Sequence, residues 1–407
     1  MKIAFVTQDG LSTVNFCTPF VQELGDTNPH GIEMWTISSS DLYTNEIRAW
    51  GTPHIDIDAG RFVSPIADMR YAIQLFRIFR SHAFDAVVSF GTKPNVWAPL
   101  AARMAGIPSV IFAVRGLGRV FSPDSGLRAA LIRPILEWFY RASSWASNRV
   151  WFTNAGDRQY FVMRGIVSAD RTFMTPNAVN LKKFAPEAVD PADLVVLRRE
   201  LGISSVAFVV VMVARMVWTK GVREFVEAAK LVHSQVSDIE FLLVGSSEPG
   251  SPNAIPESWI RKAVDSRHIK WTGFRKDIAE VYAISDVSVL PSYYKEGGYP
   301  RALLEPMALA KPVIAGDTPD CRAPVKHERN GFVIPVRDAG ALAERVLQLY
   351  QDPELRKQMG EHSLRRIQEK FDDRMVARTV LQEIIHLGNA RAEQSGHSTH
   401  ENGNRNG

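Results

Sequence analysis

Short apolar runs alternate along the first half of the chain with longer amphipathic stretches. The apolar runs are rich in β-branched and aromatic residues and predict strands at residues 2–8, 32–38, 86–90 and 109–114. The amphipathic stretches predict helices between them, at residues 66–81 and 95–105. Strands and helices that alternate in this way are typical of a parallel, doubly wound sheet.

The same pattern starts again in the second half. VAFVVVMVAR predicts a buried strand, GVREFVEAAKLVHSQV a helix, and EFLLVG, DVSVLPS and PVIAG predict later strands. The proline-bearing, polar stretch between residues 177 and 201 predicts the boundary between the halves. A last helix is expected after Phe371, and apolar periodicity ends soon after it.

These patterns predict an α/β chain with two Rossmann-like, doubly wound domains that face a cleft. A chain of 407 residues is also longer than one hydrophobic core usually supports. The predicted segments are an N-terminal Rossmann-like domain, a C-terminal Rossmann-like domain, a C-terminal helix and a disordered tail, at residues 1–183, 184–371, 372–388 and 389–407.

Composition narrows the class of protein. Hydrophobic residues make up 45% and charged residues 23%, as in ordinary globular chains. Cys17 and Cys321 lie far apart, which predicts free thiols and a reducing compartment. No apolar run approaches ~18 residues and the first residues lack a signal-peptide core. We therefore expect a cytoplasmic protein that neither spans a membrane nor is exported.

The first candidate site segment is VARMVWTKG, which joins a buried strand to a helix. Arg215 and Lys220 lie in this connection. In an open α/β sheet, ligands bind beyond the carboxyl ends of the strands, and a helix N-terminus there favours anions. The two cations therefore suit a diphosphate, although solvated loop charges are the alternative interpretation.

The second candidate segment is SYYKEGGYPRALLEP, which follows another predicted strand. Gly297 and Gly298 would let backbone amides approach a ligand, and Glu305 could accept hydrogen bonds from ribose hydroxyls. Glu296 could contact sugar hydroxyls or a developing cation. The alternative interpretation of Glu296 is a solvated loop acid that pairs with Lys295.

Together, ARMVWTKG, the stretch from WTGFRKD to AKPVIA, and HERNGFVIPVRD resemble the C-terminal domain of the retaining, GT-B-fold glycosyltransferases numbered family four. SFGTKPNVWAPLAARMAGIPSVIFAVRGLGRVF is similar to the branch that builds bacterial surface polysaccharides and glycans on lipid-linked carriers. This resemblance implies a nucleotide-sugar donor, most often a UDP-sugar, and a lipid-linked glycan acceptor.

The resemblance also implies roles for individual residues. Arg215 and Lys220 would hold the donor diphosphate, Glu296 the transferred sugar and Glu305 the ribose. The loop at Gly273, Phe274 and Arg275 would lie near the base. Further donor-binding positions are Gly245, Gly297, Gly298, Arg301 and Leu304.

Two departures from the family pattern stand out. Eight residues separate Glu296 from Glu305, where the family has seven, so the position of Glu296 relative to the sugar is open. Many members carry a glycine pair after the first strand, whereas this chain has Gly10 alone. Gly10 is nevertheless expected at the acceptor side.

The acceptor is expected on the N-terminal domain. Thr92, Lys93, Arg115 and Arg119 follow predicted strands and could meet a lipid-linked diphosphate, or they could be ordinary solvated loop residues. The stretch LRAALIRPILEWFYRASSWASNRVWF mixes tryptophans with arginines. Such a composition can favour peripheral contact with the inner face of the cytoplasmic membrane, although tryptophan and leucine at helical spacing more often indicate core packing.

The resemblance implies a retaining reaction, and the charge pattern predicts that it is metal-independent. No DxD-like signature follows a strand, and basic side chains with helix dipoles can replace a metal at a diphosphate. No cofactor is expected, and dispersed basic residues argue against nucleic-acid binding. The alternative functions are a GT-B-fold sugar-nucleotide epimerase and a catalytically silent nucleotide-sugar-binding scaffold.

Overall fold

The chain folds into two compact units. The computed structural model describes residues 1–60, 64–121, 126–247, 253–264, 269–294 and 296–402, without the side chains of residues 119, 126–130 and 390–402. One unit comprises Met1–Pro176 together with the chain from Arg374 onward, and the other comprises Asn177–Asp373. The change of unit after Pro176 falls a few residues before the predicted boundary at residue 183.

The first unit is built on a parallel sheet with seven strands in the described part of the chain. The strands are β1 (Lys2–Asp9), β2 (Glu33–Ser39), β3 (His54–Asp56), β4 (Ala86–Phe90), β5 (Ser109–Val114), β6 (Arg149–Phe152) and β7 (Thr172–Met174). Their order across the sheet is β3-β2-β1-β4-β5-β6-β7. The helices along these strands are α1 (Gly10–Asp26), α2 (Thr44–Ala49), α3 (Pro65–His82), α4 (Thr92–Met104), α5 (Gly126–Ala146) and α6 (Ala155–Met163).

The second unit repeats this architecture with a six-stranded parallel sheet among its described residues. The strands are β8 (Phe208–Val213), β9 (Ile239–Val244), β10 (Ile269–Trp271), β11 (Val287–Leu290), β12 (Val313–Gly316) and β13 (Gly331–Ile334), in the order β10-β9-β8-β11-β12-β13. Its helices are α7 (Pro191–Glu200), α8 (Val222–His233), α9 (Glu257–Ala263), α10 (Ile278–Ala283), α11 (Arg301–Ala308), α12 (Pro319–Arg322), α13 (Ala339–Gln351) and α14 (Pro353–Lys370). The prediction of two doubly wound α/β domains is confirmed.

The apolar run at β8 shows why these strands carry continuous rather than alternating hydrophobic residues. Successive side chains point to opposite faces of the sheet, and helices cover both faces. Val210 and Met212 pack into a core with α8 and α13, whereas Val209 and Val211 pack into a second core with α10 and α11. Both faces of the strand are therefore buried.

The final helix, α15 (Asp373–Asn402), belongs to the first unit. Ala377, Val380 and Ile384 pack into the core that contains Ile3 and Phe5 of β1. The helix is longer than the segment predicted at residues 372–388, because residues 389–402 continue it where a disordered tail was expected. Residues 403–407 of that predicted tail lie outside the described residues.

Buried Glu23 of α1 anchors α15 by ion pairs. Arg374 and Arg378 donate to its two carboxylate oxygens at 3.1 and 2.6 Å. Burial raises the pKa of Glu23, but hydrogen bonds from Arg378, Thr27 and Arg374 outweigh it and hold the pKa below its usual range. Within the described residues, every helix is too short or too polar to cross a lipid bilayer.

Candidate functional site

The strand order of each sheet reverses next to its first strand. In the second unit, β8 is flanked by β9 on one side and by β11 on the other. In the first unit, β1 is flanked in the same way by β2 and β4. Chain connections leave such a pair in opposite directions, which opens a crevice at the carboxyl ends of the two strands. These two places are therefore the candidate binding sites of the units.

The connections that follow β8 and β11 are tied together. The Ser292 hydroxyl and the Tyr293 amide both donate to the Thr219 carbonyl, each at 3.1 Å. Gly221 has a φ of +85°, and a Cβ there would lie 2.3 Å from the Pro291 carbonyl oxygen. Only glycine fits this conformation at this close approach. The start of α8 is thereby held against the end of β11.

Lys220 and Glu296 form an ion pair at this junction. Their side chains are only 14% and 6% exposed, and the second Glu296 oxygen, Oε1, has no hydrogen-bond partner among the described residues. Burial of a charged side chain is tolerated when an opposite charge pairs with it, and these two side chains compensate each other in this way. The junction therefore presents a positioned cation and a carboxylate with one unused acceptor oxygen.

Glu305 lies in the second turn of α11 and is buried. Arg301, one turn earlier, pairs with its Oε1 at 2.9 Å. Burial raises the pKa of Glu305, and the charges of Arg301 and Lys183 partly oppose that rise. Leu304 is fully buried and anchors α11 in the core, so the helix is a rigid support for the carboxylate.

The glycines between Glu296 and α11 form a turn. Gly297 and Gly298 have φ angles of +75° and +123°, in the region that favours glycine. The Gly297 amide donates to Asp320 at 3.0 Å, which fixes the turn against α12. Asp320 is a member of this site that the sequence did not suggest.

The connection after β9 carries another close backbone approach. Gly245 has a φ of +143°, and a Cβ there would lie 1.8 Å from the Ala214 carbonyl oxygen. Its carbonyl accepts from the Trp271 indole at 2.8 Å, and its amide donates to the Gly273 carbonyl at 2.8 Å. The ends of β8, β9 and β10 are therefore locked together.

The predicted base-side residues differ in their surroundings. Phe274 is 61% exposed, so its ring is accessible to a planar ligand. Arg275 forms ion pairs with Asp277 at 2.6 Å and with Glu200 at 2.8 Å, and these partners raise its pKa above the usual range. Its charge is thus compensated locally. Arg215 lies just beyond β8 and is exposed.

In the first unit, Gly10 and Lys93 follow β1 and β4. Gly10 begins α1 beside Asp41, which accepts from the Leu11 amide at 3.1 Å. Lys93 lies in the first turn of α4 and pairs with Asp68 of α3 at 2.8 Å. Sequence spacing gives no sign of this partner, because Asp68 comes from a different helix.

Two further predicted acceptor residues lie nearby along the same sheet edge. Thr92, at the start of α4, forms a hydrogen bond with Tyr140 of α5. The Arg115 guanidinium follows β5 and lies over the Phe16 ring, 4.5 Å from its centroid. The side chain of Arg119 lies outside the described residues.

Two family models match the chain over most of its length. "Glycosyl transferases group 1" matches residues 196–366, and "Glycosyl transferase 4-like domain" matches residues 29–178. The first covers β8, β11, Lys220 and both candidate glutamates.

The chain is a glycosyltransferase whose second unit matches the group 1 domain.

Two curated relatives, both transferases, are similar to this chain over at least three quarters of its length. N,N'-diacetylbacillosaminyl-diphospho-undecaprenol alpha-1,3-N-acetylgalactosaminyltransferase of Campylobacter jejuni is 27% identical over 94% of this chain and 97% of its own length. UDP-Gal:alpha-D-GlcNAc-diphosphoundecaprenol alpha-1,3-galactosyltransferase of Escherichia coli is 27% identical over 77% of each chain. This glycosyltransferase therefore resembles them along both units.

A solved structure supports the fold of the glycosyltransferase. HepE of Anabaena in complex with UDP superposes with a TM-score of 0.74 at 18% identity, and the match covers 95% of this chain and all of that one. The predicted GT-B architecture and the predicted family are both confirmed. The roles of individual residues in donor or acceptor binding stay predictions.

The structure brings together some of the predicted site residues of the glycosyltransferase. Lys220 and Glu296 are in direct contact, and Glu305 and Arg301 form a second pair on α11. Arg275 instead pairs with residues of α7 and its own loop. Sequence spacing gives no sign of Glu200, Asp68 and Asp320, which engage Arg275, Lys93 and the glycine turn, since these contacts join distant parts of the chain.

Proposed function

We propose that this glycosyltransferase moves a sugar from a UDP-sugar to a saccharide linked through diphosphate to undecaprenol, with retention of anomeric configuration. Both curated relatives carry names that specify a diphospho-undecaprenol acceptor. The name of the E. coli relative also specifies UDP-Gal, and the HepE structure contains UDP. The observation that carries the proposal is the buried Lys220–Glu296 pair at the reversal point between β8 and β11.

In the proposed donor complex, Lys220 and Arg215 contact the diphosphate. Lys220 precedes the N-terminus of α8, so its charge and the helix dipole act on the same anion. Glu305 accepts hydrogen bonds from the ribose hydroxyls, and the free acceptor oxygen of Glu296 binds a sugar hydroxyl. These roles agree with the family resemblance and with the burial of both carboxylates.

The proposed reaction develops positive charge at the anomeric carbon and negative charge on the departing UDP. Cations held in place stabilise the leaving group without reorganising during the reaction. The acceptor hydroxyl attacks from the face that the diphosphate leaves, and a phosphate oxygen takes its proton. Since Lys220 and Arg215 supply the positive charge, we propose that transfer does not require a divalent cation.

We also propose that the first unit contacts the inner face of the cytoplasmic membrane through α3 and α5. Large apolar side chains are exposed on both helices, namely Ile66, Met69 and Ile73 on α3 and Leu131, Ile132, Ile135 and Trp138 on α5. Trp138, in the stretch that the sequence analysis assigned to the membrane or the core, is 62% exposed. This exposure favours the membrane alternative.

The charges of α3 and α5 suit anionic lipids. Each helix carries one acidic residue, Asp68 or Glu137, and both are buried in ion pairs with Lys93 and Arg164. The exposed charges of the two helices are therefore basic, as on helices that lie at an anionic membrane surface.

Activity with defined donors and acceptors tests the function. Purified protein is incubated with UDP-sugars or GDP-sugars and a prenyl-diphosphate-linked saccharide, with and without EDTA. We expect transfer from a UDP-sugar that EDTA leaves unchanged, and a new α linkage in the NMR spectrum of the product. Lys220→Ala should remove transfer, whereas Lys230→Ala, at an exposed position later in α8, is the matched control.

Different outcomes would contradict different parts of this proposal. A β-linked product from an α donor would exclude retention, and loss of activity with EDTA would exclude metal-independent transfer. Binding of UDP without transfer to any acceptor would favour the scaffold alternative. Interconversion of free UDP-sugars would favour the epimerase.

Co-sedimentation with lipid vesicles tests the membrane contact. We expect binding to phosphatidylcholine vesicles that contain phosphatidylglycerol, and weaker binding to phosphatidylcholine alone. The Ile135→Gln/Trp138→Gln variant should lose binding, while Leu231→Gln, an exposed apolar position in the second unit, should retain it. Equal vesicle binding by both variants would show that α5 does not take part in the membrane contact.

A further inference from the structure

A cavity of about 410 Å³ lies among α3, α4 and α5 in the first unit. Its volume is within the range of small-molecule sites, which is roughly 300–1,000 Å³. Its wall is formed mainly by apolar side chains, Pro65 and Met69 from α3, Val96 and Trp97 from α4, and Leu136 and Phe139 from α5. The cavity therefore suits a hydrocarbon ligand.

The charged residues in the wall compensate each other. Lys93 and Asp68 both line the cavity and pair at 2.8 Å, and each side chain is 9% exposed. The Lys93 ammonium also donates to the Gly60 carbonyl at 3.1 Å. Since the pair carries no net charge, the wall does not select for a free anion or a free cation inside the cavity.

Met69 connects the cavity to the exposed apolar row of α3. This side chain is 56% exposed and belongs both to that row and to the cavity wall. The basic and apolar surface of α3 thus adjoins the apolar cavity at Met69. A hydrocarbon chain that leaves the bilayer can enter the cavity without crossing a polar surface.

A second cavity, with more polar residues in its wall, adjoins the first at Gln8. Gln8 lines both the apolar cavity and this second cavity, also about 410 Å³, whose polar wall residues include Ser39, Tyr43 and the carboxylates Asp9, Asp41 and Asp58. Gln8 belongs to β1, next to the reversal point of the sheet. An amphipathic ligand would therefore place its polar end at the carboxyl end of β1 and its apolar end among α3, α4 and α5.

We propose that the apolar cavity binds the isoprene units next to the diphosphate of the lipid-linked acceptor. This inference rests on the proposed function, because that function supplies an acceptor with an isoprenyl chain beside a polar saccharide diphosphate. The cavity holds one part of the chain, and the remainder stays in the bilayer against α3 and α5. Chain recognition thereby selects membrane acceptors over soluble saccharides.

A binding titration tests the cavity without any transfer reaction. Inorganic diphosphate, geranyl diphosphate, farnesyl diphosphate and geranylgeranyl diphosphate are titrated into the full chain by calorimetry. Burial of each added methylene group favours binding, so we expect affinity to increase along the series until the cavity is filled. Equal affinity for inorganic diphosphate and the prenyl diphosphates would overturn the proposal.

Two variants assign this binding to the cavity. Met69→Gln lies at an exposed position that does not threaten folding, and Leu136→Gln changes the opposite wall. Each variant should lower the affinity for farnesyl diphosphate about tenfold, or ~1.4 kcal/mol, and leave the affinity for UDP unchanged. Met163→Gln, an exposed methionine of α6 in the same unit, is the control. Wild-type affinity for farnesyl diphosphate in both cavity variants would overturn the assignment.

Transfer assays distinguish failure of this inference from failure of the proposed function. The same saccharide diphosphate is offered with an undecaprenyl chain or with a methyl group. Met69→Gln should raise KM about tenfold for the undecaprenyl acceptor alone, and an equal effect on both acceptors would overturn the cavity assignment. Absence of transfer by the wild-type protein to either acceptor would contradict the proposed function, and the titration would then decide on the cavity by itself.

Discussion

Replacement of Lys220 by methionine removes the cation from a buried ion pair and leaves Glu296 charged in a site where it is 6% exposed. Breaking a buried pair by removal of one partner costs ~3–5 kcal/mol. Water reaches the lysine end of this pair, which is 14% exposed, so the lower end of that range applies, or about 3 kcal/mol. For a unit of this size, 1 kcal/mol corresponds to roughly 2–4 °C in Tm. We therefore expect the second unit to melt about 6–12 °C lower.

The double variant Lys220→Met/Glu296→Gln separates stability from function. With both charges removed, no buried charge remains unpaired, so most of the lost stability should return. Sugar transfer should not return, because removal of one hydrogen-bond donor positioned at the negative charge that develops on the leaving group lowers kcat by ~10²–10³-fold. Calorimetric melting and steady-state kinetics of the wild type, both single variants and the double variant measure these effects.

Two results would refute this reasoning. If Lys220→Met melts like the wild type, or if the double variant is no more stable than Lys220→Met, the ion pair does not contribute to stability. If Lys220→Met keeps its kcat, the proposed contact with the leaving group is wrong. Lys230→Met, on an exposed position of α8, controls for the loss of a lysine.

Two further predictions follow from carboxylates with shifted pKa values. Burial raises the pKa of Glu305 above its ordinary 4.5. The folded wild type therefore loses stability as the pH rises from the unfolded-state pKa of this carboxyl group to its higher folded-state pKa. Glu305→Gln should therefore melt at or above the wild-type temperature at pH 7 while UDP affinity falls; a lower melting temperature or unchanged UDP affinity by calorimetry would contradict this. The pKa of Glu23 is held low despite burial, so its pairs with α15 contribute stability above pH 4.5 and lose it as pH falls. The protection factors for hydrogen exchange in α15, which correct for the intrinsic pH dependence of exchange, should fall in acid and, at neutral pH, in Glu23→Gln; wild-type protection factors that do not change in acid would contradict this.

Local sequence pattern predicts most of the regular elements. The strands expected at residues 86–90 and 109–114 coincide with β4 and β5, because an unbroken apolar run between helices can be buried on both faces only in a central strand. The predicted start of α8 near Gly221 is also correct. Gly221 has a positive φ, which favours glycine, and the helix begins at the next residue. Such features depend on neighbouring residues alone.

Local sequence pattern does not predict the core against which α15 packs. Apolar periodicity after Phe371 predicts a helix, but it does not say which core the helix covers. Ala377 and Val380 pack beside Ile3, and Arg378 pairs with Glu23. These partners lie more than three hundred residues away in sequence, so their contact depends on the folding of the whole chain.

Amino-acid identity and spacing were sufficient to predict two α/β units, the family and the two segments that meet in the candidate donor site. They could not predict that Lys220 is paired with Glu296, or that Lys93 is neutralised by Asp68. Each pair joins side chains from separate elements, and the burial that makes the pairing necessary exists only after those elements pack. Charge compensation and the apolar cavity beside α4 are therefore properties of the packed structure, because both depend on which surfaces exclude water.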